Sequence, residues 1–253
     1  MKKVYYYYPE PDEIPAETTF LVMPFRREMV NFKFPSGLVE LHIIDIENDM
    51  QNGIEYIPSC VNDDFYRNFP PTLKILNINT CHIMLKKIPD HIEKLTIEQH
   101  FTFEDLPKNL KSLIIYHFDD FDYRKLPKSI KHLELSIEDE NTIENLPEGL
   151  ETLGLDFLDE VKFPKIPLSV QFLKIKGNYQ TIKEELPRIK RLELNSVNFN
   201  LDFLPPTLEE LQIKRYEGEI NTFMFPSSLK KLTLIKCSGE ITINPELDVI
   251  KIY

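Results

Sequence analysis

The chain has no tryptophan, only 7 glycines and only 3 cysteines in 253 residues. Each shortage excludes something. Cys60, Cys81 and Cys237 are odd in number, far apart and form no C-x-x-C pair. Neither a disulfide framework nor a zinc ribbon is indicated, and a reducing compartment fits best. A glycine-rich phosphate loop is missing, as are HExxH and GxSxG, so nothing announces catalysis. No apolar run approaches the roughly 18 residues that span a bilayer. The opening "MKKVYYYYPEPDEIP" turns acidic and proline-rich before an apolar signal core can form. Positive charge is short as well: 30 Lys and Arg face 41 Asp and Glu, a net charge of −11. That balance disfavours nucleic acid and anionic membranes as partners. The expected setting is the cytoplasm, or the cytosol of a host if the chain comes from a virus or a secreted effector.

What is plentiful is proline, with 19 residues, and it recurs in a fixed phrase. The phrase is P-x-x-L-x-x-L-x-[IL], and its second Leu serves as an anchor. Anchors fall at Leu21, Leu41, Leu76, Leu95, Leu113, Leu133, Leu153, Leu173, Leu211, Leu232 and, in units one residue short, at Leu192 and Ile250. After Leu76 they are 19, 18, 20, 20, 20, 19, 19, 21 and 18 residues apart. The 35 residues between Leu41 and Leu76 hold an insertion or a degenerate repeat, bounded at 46–68. The chain therefore reads as a single repeat domain over 1–253, with an N-terminal cap at 1–13 and a terminal repeat at 243–253.

The period-two alternation in L-x-x-L-x-I predicts one short strand per unit with one buried face. Such a strand cannot bury that face alone, whereas identical strands stacked in parallel can. About twenty residues per unit leave too few for a full helix on the return path, so the return is extended or a short turn. Proline suits it, with φ held near −65° and no N–H to leave unpaired.

With these residues placed, the sequence resembles the leucine-rich repeat phrase L-x-x-L-x-L-x-x-[NC]-x-L. The Asn/Cys position is filled here by Cys81, His100, Phe118, Asn178 and Cys237. The short period also resembles the FNIP repeat, in which Phe-Asn precedes the next Leu-Pro. Phe199-Asn200 stands before Leu204-Pro205, with echoes at Phe121-Asp122 and Tyr179-Gln180. A second likeness is to the repeat arm of secreted bacterial effectors; the ligase domain that some of them carry has no room in this chain. The resemblance implies an α/β-type solenoid, dominated by β structure. It would be a leucine-rich repeat arc with one parallel sheet on its concave face and extended or short-turn segments on its convex side. The implied role is a non-enzymatic module that binds a partner protein, whose identity is not written in the sequence.

Residues flanking each anchor point away from the core. They are Lys94, Thr96 and Glu98; Ser112, Ile114 and Tyr116; His132, Glu134 and Ser136; Thr152, Gly154 and Asp156; then Phe172, Lys174 and Lys176. The series ends with Arg191, Glu193 and Asn195; Glu210, Gln212 and Lys214; and Lys231, Thr233 and Ile235. The candidate partner-binding surface is Ile114, Tyr116, His132, Glu134, Asp156, Phe172, Lys174, Lys176, Arg191, Glu193, Gln212 and Lys214. It sets an apolar and aromatic patch beside a basic cluster. The plainer reading of the same residues is a solvated sheet face whose charges pair across strands and add little stability.

Cys81 and His100 share a register position, with His82 and His91 nearby. They are either metal ligands or backbone-bonding residues of the asparagine ladder, and the second reading needs no missing ligand. No metal and no cofactor is expected. The acidic runs "HFDDFD" and "SIEDENTIEN" lack the calcium-loop pattern and fall on the return path. Two other roles stay open: a self-assembling structural protein, monomeric or joined end to end through the strand in "DVIKIY", and a carbohydrate-active parallel β-helix. The tyrosine run from Tyr5 to Tyr8 is the expected cap of the opposite end.

Overall fold

The computed structural model describes residues 1–7, 9–25, 32–44, 65–79, 87–97, 106–116, 125–137, 146–161, 163–179, 186, 188–195 and 204–253. It is a parallel β-solenoid that divides into two units. The first comprises Met1–Phe121 with Lys125–Ile130, the second Asp122–Arg124 with Lys131–Tyr253.

In the first unit the strands are β1 (Lys2–Val4), β2 (Phe20–Pro24), β3 (Glu40–Ile44), β4 (Ile75–Asn79), β5 (Lys94–Ile97) and β6 (Ser112–Ile115). Each pairs in parallel with the next, so Leu21, Leu41, Leu76, Leu95 and Leu113 lie side by side. The residues expected to form the N-terminal cap contain β1, which pairs with β2. There Tyr5 donates its hydroxyl proton to the Glu13 carbonyl at 2.9 Å. Tyr8 lies outside the described residues. β3 pairs directly with β4 although 35 residues separate their anchors, so no strand lies between them. Residues 45–64 are outside the described part.

The second unit holds β7 (His132–Ile137), β8 (Thr152–Val161), β9 (Phe172–Tyr179), β10 (Arg191–Asn195), β11 (Glu210–Lys214), β12 (Ile220–Asn221), β13 (Lys231–Ile235), β14 (Ile241–Thr242) and β15 (Asp248–Ile252). β7 to β11, β13 and β15 form parallel ladders in that order, and β12 pairs with β14 on the return side. Leu133, Leu153, Leu173, Leu192, Leu211 and Leu232 share one row. The last unit departs from expectation: Val249, not Ile250, pairs with Leu232. The reason is local. Asn244 opens the final turn in place of proline, accepting from the Leu247 N–H at 3.1 Å, and this leaves one residue fewer before the strand.

Helix among the described residues is confined to 3-10 turns, at Pro11–Glu13, Phe65–Asn68 and Thr222–Met224, and to Lys125. The helix implied by an α/β designation is not found there, as a period near twenty residues dictates. The proline instead opens a tight turn. From Thr18 N–H to Pro15 O through to Leu229 N–H to Pro226 O, the residue three after the proline donates to its carbonyl. In the described turns of this kind after the first, that residue is apolar and points inward; in the unit anchored at Leu192 the inward residue is Ile189, wholly buried. Together with the anchor, the residue two after it and the [LIF] before the proline, it builds a core of stacked columns. Leu38, Leu73, Leu150, Leu153 and Leu173 are wholly buried, and each such side chain contributes about 1.5–3 kcal/mol of burial.

The residue just before the inward turn position ties neighbouring turns together. Thr72 Oγ1 lies 2.8 Å from the carbonyls of Ser36 and Leu38, which share its proton. Ser129 does the same with Lys108 and Leu110, and Ser228 with Pro206 and Leu208. Thr207 donates to Ile189 at 2.9 Å. Ser169 holds the same column, yet its buried hydroxyl has no partner among the described residues. Ser228→Ala is therefore expected to cost about 1 kcal/mol in urea unfolding, and Ser169→Ala to cost nothing. Equal effects would show that the column does not link the turns.

Candidate binding surface on the outward face of the sheet

Side chains beside each anchor project from the sheet, and strands about 4.8 Å apart bring equivalent positions into rows. In the second unit one row reads Glu134, Gly154, Lys174, Glu193 and Gln212. Gly154 decides its geometry. A Cβ there would stand 2.7 Å from Glu134 Cγ, so the missing side chain lets Glu134 lie flat across β8. Glu134 Oε1 thereby accepts from Lys174 Nζ at 2.5 Å, two strands away. A glycine inside a strand often marks such a close approach.

The row before it reads His132, Thr152, Phe172, Arg191 and Glu210. Phe172 is half-buried between two cations, with Arg191 Cζ 4.4 Å and Lys174 Nζ 5.3 Å from its ring centre. Electrostatic attraction between a cation and the ring face holds such an arrangement. Arg191 also donates to Glu193 at 2.8 Å and stands 3.8 Å from Glu210. His132 Nδ1 is 3.0 Å from the Thr152 hydroxyl. In the third row Lys176 donates to Asp156 at 2.5 Å.

The surface expected from sequence is thus brought together from Glu134 through Glu193, with Gln212 and Lys214 on the adjoining strand β11 and His132 on β7. Ile114 and Tyr116 lie half-buried on or next to β6 of the first unit. Ser136, also expected to face outward, is covered, at 8% exposure. Gly154, Thr152 and Glu210 join the constellation, and the glycine within an otherwise glycine-poor chain was the signal for them.

A second charged column precedes the strands. It reads Lys74, Glu93 and Lys111 in the first unit and Lys190, Glu209 and Lys230 in the second. Glu93 lies 3.3 Å from Lys74 and 2.6 Å from Lys111; Glu209 lies 4.0 Å from Lys190 and 2.7 Å from Lys230. Hydrogen bonds from Lys111 and Lys74 hold Glu93 below the usual carboxylate range, and Lys230 does this for Glu209. His91 is also held below the usual imidazole value, first by burial and then by Lys74, against opposing effects of Asp90 and the Pro70 backbone. Its Nε2 is buried without a partner among the described residues.

All three groups bind protons less readily folded than unfolded, so stability is full at neutral pH and falls with pH. The decline begins below the ordinary histidine value of 6.5 and deepens below the carboxylate value of 4.5. Thermal melts between those values are expected to lose this slope in His91→Ser while keeping the acid fall. A variant with an unchanged slope would contradict the assignment.

Cys237 meets the asparagine-ladder position as expected of a backbone-bonding residue. Its Sγ donates towards the carbonyls of Ile213 at 3.4 Å and Ile235 at 3.6 Å. Cys81, His82 and His100 lie outside the described residues. Among the described residues, no three His, Cys, Asp or Glu are grouped to hold a metal, and no helix is long and apolar enough to cross a membrane.

The FNIP Repeat family model matches residues 98–138, the stretch that includes the turn and strand of β6 and those of β7. This segment is similar to an FNIP repeat. Among solved structures, CroV588, titled a novel circular leucine-rich repeat protein, superposes with a TM-score of 0.59 at 17% identity, over 93% of this chain and 40% of that one. YopM from Yersinia enterocolitica WA-314 gives 0.39 at 17% identity, over 95% of this chain and 60% of its own. This chain therefore spans less than two thirds of either. No curated protein matches the sequence. The fold is of the leucine-rich repeat kind.

Proposed function

We propose that the FNIP-repeat chain is a non-enzymatic binding module that docks a protein partner on the outward sheet face of its second unit. The observation that carries this reading is Phe172, an aromatic ring on a sheet surface, presented between Lys174 and Arg191. Aromatic and arginine side chains at the centre of a patch are the usual anchors of protein recognition. Repeat solenoids commonly recruit partners on one extended face. His132, Gln212 and Lys214 extend the surface on either side of this centre. The thiol of Cys237, engaged only as a hydrogen-bond donor, supports a cytoplasmic or host-cytosolic setting.

The test is affinity capture from the native host's cytosol. Wild type is compared with Phe172→Ala/Lys174→Glu/Arg191→Glu and with Lys230→Glu, which alters only the charged column before the strands. A protein lost from the triple variant and kept by Lys230→Glu supports the reading. The same catch with all three would move binding elsewhere.

Head-to-tail association of copies is a second reading. It is favoured by Ile250 and Ile252 of β15, which are 40% and 50% exposed. Light scattering across concentration separates it, since a mass that does not grow would eliminate it.

A further inference from the structure

On the proposed docking face, three ion pairs share one depth, while the looser Arg191–Glu210 pair has both side chains about half exposed, at 48% and 51%. The Lys176 side chain is 55% exposed and its partner Asp156 only 14%. Arg191 is 48% exposed against 17% for Glu193, and Lys174 is 37% against 24% for Glu134. The carboxylates lie down against the sheet, helped by the gap at Gly154, while the longer basic side chains end above them. Lys214 and Lys231, further along the same face, make no ion pair among the described residues. A chain of net charge −11 thus turns several cation tips outward here, with Glu210 and Asp248 the exposed acids on either side of Lys231.

We infer that this face takes an extended, acidic segment of a partner protein, lying across the strands; the inference rests on the docking role proposed above. The spacing suits such a segment. Lys176 and Lys214 sit in one row two strands apart, as do Arg191 and Lys231 in another, a separation of roughly 9.6 Å. An extended polyproline-type chain rises about 3.1 Å per residue with three residues per turn, so carboxylates at every third position recur on one side about 9.3 Å apart. Two successive carboxylates then meet the two cations of a row, with Asn195 between the cations of the first row and Glu210 between those of the second. The ring of Phe172, half-buried beside Lys174 and Arg191, positions those two cations for the carboxylates.

A fluorescent peptide of about six Glu-Pro-Pro triplets, which holds this spacing, is titrated with the full chain and read by anisotropy. Binding is expected to weaken steeply with added salt and to fall about tenfold in Lys176→Ala/Lys214→Ala/Lys231→Ala. Asp156→Asn, which frees Lys176 of its carboxylate, is expected to tighten binding about threefold, a gain that unfolding cannot produce. Absence of binding to wild type, or equal binding by the triple variant, would overturn the inference. Tighter binding of the matching Lys-Pro-Pro peptide, weakened by Asp156→Asn, would keep the docking face and overturn the acidic partner. Tighter binding of oligothymidine, lost in the triple variant, would assign the face to nucleic acid instead.

Discussion

Replacing Gly177 with alanine is expected to destabilise the second unit by about 4 kcal/mol, at the upper end for one substitution. Gly177 stands in β9 with φ +88°, a conformation that costs an L-residue about 1–2 kcal/mol. A Cβ there would overlap the Phe157 carbonyl oxygen and stand 2.9 Å from the carbonyl carbon. The obstacle is backbone, so no rotamer relieves it, and β8 would have to part from β9 where their ladder is already irregular, between Phe157 and Val161. Urea unfolding followed by hydrogen exchange at β8 and β9 measures the effect. Gly37 is the control. It has nothing within 4 Å of a built Cβ, and Gly37→Ala should change stability by less than about 0.5 kcal/mol. A loss below about 1 kcal/mol for Gly177→Ala would refute the account.

The second large effect belongs to the anchor row. Leu173 is wholly buried, with Leu153 on one side and Leu192 on the other. Truncation to alanine removes buried apolar surface and leaves a cavity that strands pinned on both sides cannot close. The expected cost is about 2–5 kcal/mol. Because a repeat stack is held by contacts between neighbours, protection should fall in β8 and β10 as well as β9. Leu168, in the turn just before, is 75% exposed, and its alanine variant should be nearly silent. Comparable losses at the two positions would mean that the row does not carry the stability assigned to it.

Much of this architecture could be read from letters alone, because it is periodic. Leu-x-x-Leu-x-Ile at intervals near twenty residues dictates strand, buried face and parallel stacking together, and the anchors from Leu21 to Leu232 took their expected places. Ile250 did not. Its unit opens with Asn244, and proline spacing misled the register by one residue. The Thr72, Ser129, Thr207 and Ser228 column was equally periodic and equally visible, one residue before the inward turn position. Its role is not legible in sequence, because a hydroxyl there has no purpose until the carbonyls of the preceding turn stand 2.7–2.9 Å away.

The candidate surface divides along the same line. Alternation along a strand says which side chains leave the sheet, so Phe172, Lys174 and Arg191 were known to face outward from their positions alone. Alternation does not say what each one meets. Glu134 reaches Lys174 because Gly154 lies between them, and Phe172 is flanked by Arg191 from the next strand rather than standing open.

The sequence by itself determined the repeat, the buried columns and the outward set, since these follow from spacing within one unit. Only the tertiary structure decided the pairing of β3 with β4 across 35 residues, the depth of each carboxylate beneath its cation, and the left-handed turn at Gly177. Those depend on contacts between residues about twenty or more positions apart, whose energies are set by lateral packing and not by any local preference of the chain.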